Sequence, residues 1–158
     1  MQRLTTKWTD TLEEAFGPQV KRARDAEIMV MDAFTKWGYE VIDHESDRDL
    51  QTQGLDFSIR KNTWRNFYSI DVKANLDSYG SYYVDLKPDG WLFNPKKTSD
   101  RICHACVETG WFLWYGRDDM KNYIHKMNFD ISEETVFKIT PKIKLDFVTR
   151  RNANKERE

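Results

Sequence analysis

Asp56, Asp71 and Lys73 are residue types able to do hydrolytic chemistry, and they fall in one short stretch of the chain. Carboxylates hold hard divalent cations through oxygen, and an ammonium is a compact charge that can orient a water or offset charge on a phosphate. The segment 54–75 reads as two strands joined by a polar loop. Leu55, Phe57 and Ile59 alternate with Asp56, Ser58 and Arg60; Tyr68, Ile70, Val72 and Ala74 alternate with Ser69, Asp71, Lys73 and Asn75. Strand side chains point to opposite faces with period two, so Asp71 and Lys73 share a face and the apolar set anchors the other. Pairing as a hairpin brings Asp56 to the same polar face. A D-x-K tripeptide on a strand is also common on ordinary sheet surfaces, so the spacing alone does not identify a site.

A further carboxylate lies upstream. Val20, Ala23, Glu27, Val30, Phe34 and Trp37 recur at helical spacing, which predicts a helix over 19–37 closed by Gly38. Glu27 alone in this stripe is polar. A buried carboxylate is costly unless it is paired or bound to a metal, so Glu27 either reaches water at the stripe's edge, pairs with Lys or Arg, or serves the downstream acids. A shorter helix is expected before it, opened by the capping box Thr11-Leu12-Glu13-Glu14 and ended by Gly17-Pro18.

The order Glu27, then Asp56, then Asp71-Val72-Lys73 resembles the PD-(D/E)xK nuclease superfamily over roughly residues 20–75. Leu55 stands where the family name has Pro, and Asp71 where Glu is commoner. The resemblance implies an α/β, restriction-endonuclease-like fold with a mixed central sheet flanked by helices. It implies a metal-dependent DNA endonuclease using Mg2+, with Mn2+ as substitute. Asp56 and Asp71 would be the ligands, completed by the Val72 carbonyl. Lys73 would serve the attacking water or the developing charge, and Glu27 a second metal or one of the waters. Size and order are similar to small phage-type endonucleases and Holliday junction resolvases, which implies branched DNA, a homodimer and the host-cell cytoplasm if phage-encoded. The rival is a nuclease-like fold that binds nucleic acid or protein without cutting. A blander one is a structural α/β protein in which Asp56 and Asp71 never meet.

Composition sets the frame. With 158 residues, 39% hydrophobic and 32% charged, the chain suits a single domain over 1–148 with a mobile charged tail over 149–158. The absence of a long apolar run or a signal-like N-terminus predicts an intracellular chain with no membrane partner. A net charge of −1 gives no general pull on nucleic acid. DNA contact then falls to local clusters: Lys21 and Arg24; Arg60, Lys61 and Arg65; Lys96 and Lys97. Tyr79, Tyr82, Tyr83 and Trp91 add aromatic faces near the last of these. Cys103 and Cys106 form a C-x-x-C whose odd spacing on a strand puts the thiols on opposite faces, so neither zinc nor a redox pair is expected. The acidic loop 44–53 lacks the Gly and Glu of a calcium loop, and phosphate-binding glycine motifs are missing. Downstream, strands are expected at 81–86, 101–107, 111–115 and within 137–148. A short helix is expected from Trp91 and another over 117–124.

Overall fold

The structure is a computed structural model that describes residues 6–132 and 136–158, with side chains from residue 20 onward. In chain order the elements are α1 (Thr6–Lys36), β1 (Glu40–Asp43), α2 (Arg48–Thr52), β2 (Phe57–Arg60), β3 (Tyr68–Lys73) and β4 (Tyr82–Asp85). There follow β5 (Arg101–Ala105), β6 (Trp111–Gly116), α3 (Arg117–Lys126), β7 (Val136–Ile139) and β8 (Thr149–Asn152). Six strands form a mixed sheet in the order β1-β2-β3-β5-β6-β8, while β4 and β7 make a separate two-stranded sheet. The expected hairpin is present: β2 and β3 pair antiparallel with Phe57 opposite Ile70. β3 then pairs parallel with β5, and this is what makes the sheet mixed. No helix among the described residues is long and apolar enough to cross a membrane.

Both faces of the sheet are covered. On one, Ala26, Val30, Ala33 and Phe34 of α1 pack against Phe57, Ile59, Ile70, Val72, Cys103 and Trp114. On the other, β4, β7 and α3 bring Tyr82, Val84, Ile139, Met120 and Ile124 against Ile102, Leu113 and Tyr115. β3 therefore departs from the expected alternation of wet and dry faces: Ser69, Ile70, Asp71 and Val72 are all buried. Cys103 lies in the first layer and Cys106 in the second, both unpaired, in keeping with their odd spacing.

Several expectations fail for local reasons. α1 runs unbroken through Gly17-Pro18. Proline removes one helical hydrogen bond and bends the helix, but the bonds on either side can hold it together. The capping residues at Thr11 lie outside the described side chains. Val20 is 68% exposed, so the buried line of α1 is Ala26-Val30-Ala33-Phe34 and Glu27 sits on its flank. The polar loop over 44–53 contains α2, capped by the Asp47 carboxylate accepting from the Leu50 N–H at 3.1 Å. Trp91–Phe93 forms a turn instead of a short helix.

The charged tail is also part of the fold. Thr149–Asn152 pairs with β6 as an edge strand. Beyond it, the Ala153 carbonyl accepts from Lys36 Nζ at 2.8 Å, the Lys155 carbonyl accepts from Trp37 Nε1 at 3.0 Å, and the Tyr39 hydroxyl donates to the Glu158 carboxylate. Composition missed this because much of the anchoring runs through backbone groups, which every residue carries, and the rest through Glu158, whose partners Tyr39 and Lys61 are distant in sequence. Deleting residues 149–158 is expected to cost about 3 kcal/mol of unfolding free energy in a urea titration, as several net hydrogen bonds are lost. An unchanged midpoint would show that these contacts contribute nothing.

Candidate active site

The site is built where β2 parts from β3. The Asp56 N–H donates to the Ile70 carbonyl at 3.0 Å, although by register Ile70 faces Phe57. Two successive residues thus address one partner, as in a β-bulge, and such an offset re-aims a side chain. Here it turns the Asp56 carboxylate onto β3, where Oδ2 accepts from the Val72 N–H at 2.7 Å. The Val72 carbonyl projects to the same edge as its N–H, because both groups of a strand residue share one side. Asp71 and Lys73 lie one pleat apart on the face shared with Ile102 and His104, their register partners on β5. Lys73 Nζ stands 3.3 Å from Asp71 Oδ1. At Gly54 the chain turns beside this pair. This glycine has φ +78°, and a Cβ there would stand 3.4 Å from Asp71 Oδ2 and 3.5 Å from the Lys97 side chain. Leu55 follows this turn.

Asp71 is 3% exposed, and with both acids ionised its Oδ2 is buried without a hydrogen-bond partner. Burial raises the Asp71 pKa, opposed first by the charge and hydrogen bond of Lys73, then by the Arg117 charge and by hydrogen bonding with Asp56. Burial, and then the Asp71 charge, push Asp56 up to about 8, against the pull of the Val72 N–H. Two acids crowded into one dry place are short of positive charge.

Glu27 stands beside this pair but is already engaged. Its Oε1 accepts from Arg24 Nη1 at 2.9 Å, and Arg24 also holds Asp43 at 2.6 Å and Glu45 at 2.8 Å. Burial raises the Glu27 pKa while Arg24 lowers it, and the Glu27 charge contributes to raising Asp56. Among the described residues no group of three or more His, Cys, Asp or Glu side chains is gathered to hold a metal ion. What can hold one is the Asp56–Asp71 pair with the Val72 carbonyl. That donor set suits Mg2+ or Mn2+, which retain several waters beside one or two carboxylates. The Asp71 oxygen without a hydrogen-bond partner is the donor there that a small cation could engage.

The expected nucleic-acid residues do not gather at one place. Lys97 reaches the site, with Nζ donating to the Thr52 carbonyl at 2.9 Å. Lys96 is exposed beside Asp49 and Thr98. Arg60 pairs with Glu40 and Lys61 with Glu158, near the exposed Arg65 and at the opposite end of β2 from Asp56. Lys21 pairs with Asp25 on α1. Of the aromatics, Tyr82 is buried, Tyr79 and Tyr83 are exposed, and Trp91 has its ring centroid 5.4 Å from Lys73 Nζ. In the sequence Trp91 stands out only as an aromatic near Lys96 and Lys97, not as a neighbour of Lys73, and Gly54, two residues before Asp56, carries no distinguishing signal. No protein-family model, curated protein or solved structure matches the chain.

The raised acids fix the sign of a pH effect. A carboxyl whose folded pKa exceeds its unfolded value binds its proton better in the folded state, so stability falls as pH rises from the ordinary carboxyl value of 3.8 through about 8. Without divalent cations, Asp56→Asn is expected to flatten this decline in thermal melts and to stabilise the chain by about 1–2 kcal/mol above that range. Identical pH profiles for the two proteins would contradict the strained acid pair.

Proposed function

We propose that this chain is a divalent-cation-dependent endonuclease that hydrolyses phosphodiester bonds in DNA, with a restriction-endonuclease-like core. The observation carrying this reading is the convergence of Asp56, Asp71 and Lys73 at the parting of β2 and β3, with a buried Asp71 oxygen left unsatisfied. Mg2+ or Mn2+ bound there supplies charge neutralisation at phosphate and a more acidic water. The chain's own groups do the rest. Asp56 and Asp71 hold the cation, Asp56 being oriented by the Val72 N–H. Lys73, tethered to Asp71, presents its ammonium to a non-bridging phosphate oxygen or to the attacking water. Lys97 lies beside Gly54 as the cation best placed to meet a neighbouring phosphate. Branched DNA, a homodimer and the host cytoplasm belong to the same proposal and rest on size and element order alone.

A second reading has one observation in its favour. Glu27 is tied to Arg24 rather than directed freely at the acid pair, as in a nuclease-like module that binds without cutting. Incubating supercoiled plasmid and a four-way junction with Mg2+, Mn2+ or EDTA separates the two. Metal-dependent cleavage is expected, abolished by EDTA and reduced at least about 100-fold in Asp71→Ala and in Lys73→Ala. Binding of either DNA by the wild type with no cleavage in either metal would reject the enzyme and favour the module.

A further inference from the structure

We propose that Trp91 is a positioning residue for the Lys73 ammonium, clamped in place by the buried Arg117; this rests on the nuclease reading of the site. The problem it solves is mechanical. Lysine carries its charge on a flexible four-carbon stem, and a strand backbone fixes only where that stem begins. Asp71 gives the ammonium one tether at 3.3 Å. The Trp91 ring gives a second, its centroid 5.4 Å from Nζ, and an indole face attracts a cation through its quadrupole. Between carboxylate and ring the ammonium has a defined place, which a group acting on phosphate needs.

Trp91 needs holding in turn, because it sits in a turn between β4 and β5 with no sheet ladder to fix it. Arg117, 6% exposed at the start of α3, supplies the hold. Its Nη1 donates to the carbonyls of Trp91 and, at 2.9 Å, Leu92. Its Nε donates to the Ser99 carbonyl at 2.9 Å, and its Nη2 to Ser99 Oγ at 2.7 Å. Among the described residues no carboxylate forms an ion pair with Arg117. A buried guanidinium spent on loop carbonyls is costly, and what it secures is both ends of the segment 91–99. The His104 ring meets Trp91 edge-on at 5.7 Å between centroids, with an interplanar angle of 66°. His104 is itself fixed by Asn75 and by the Tyr115 hydroxyl. The resulting chain of contacts runs from α3 through Trp91 to Lys73 and Asp71.

Trp91→Leu and Trp91→Phe, each made in the wild type and in Lys73→Ala, test this. In the wild type, Trp91→Leu is expected to lower kcat about ten-fold with KM nearly unchanged, and Trp91→Phe to recover most of the loss. In Lys73→Ala, Trp91→Leu should cost nothing further. Equal losses in both backgrounds, or a loss confined to KM, would overturn the proposal. A second measurement needs no cleavage: in 13C-lysine-labelled protein, the Lys73 Hε resonance, assigned by its loss in Lys73→Arg, is expected to be shifted upfield by the indole ring and to return in Trp91→Leu. An unshifted resonance overturns the placement. A shifted one in a chain that never cuts upholds the placement and rejects only the nuclease reading.

Discussion

A carboxylate buried in the middle of a sheet covered on both faces needs compensation, and Asp71 has only part of it. Lys73 serves one oxygen; the other has no hydrogen-bond partner when both acids of the pair are ionised. A lone buried charge of this kind is too expensive to persist unless a proton, an ammonium or a cation meets it. The surrounding elements intensify the demand instead of relieving it. The offset where β2 leaves β3 delivers a second carboxylate, Asp56. The α1 flank adds Glu27, partly answered by Arg24. The turn at Gly54 keeps a side chain out of the space beside Asp71. An arrangement that concentrates negative charge in a dry place is unfavourable for the ionised chain unless a proton or a cation answers it.

The legible part of this structure was the part written in alternation. Leu55 to Arg60 and Tyr68 to Asn75 carried a period-two pattern strong enough to give the hairpin and the shared face of Asp71 and Lys73. The odd spacing of Cys103 and Cys106 gave their separation into different layers by the same geometry. Alternation could not say that the polar face would be roofed, because the roof comes from β4, β7 and α3, distant in sequence. The bulge-like offset at Asp56 left no trace either, since it depends on how two strands part and not on residue type. Trp91 and Arg117 look in sequence like any core aromatic and any helix-start cation, and only packing gives them a common purpose.

Charge bookkeeping from the sequence was the least reliable guide. Clusters of Lys and Arg read as candidate DNA contacts, yet Lys21, Arg24, Arg60 and Lys61 each hold a carboxylate. Exposed pairs of this kind contribute little to stability and are weakened by salt, so a polyanion can compete for their cations. In this structure these four cations are spent on carboxylates of their own chain. Lys97 differs in that its ammonium caps the backbone at Thr52 and its stem lies beside the acid pair.

Anomalous diffraction from crystals soaked in Mn2+ addresses the central claim most directly, because it locates the cation without requiring turnover. The expected result is a peak between the Asp56 and Asp71 carboxylates, within bonding distance of the Val72 carbonyl, that disappears in Asp71→Asn. Full-occupancy manganese elsewhere with none between Asp56 and Asp71 would contradict it, and would leave the acid pair as a protonated element of the core.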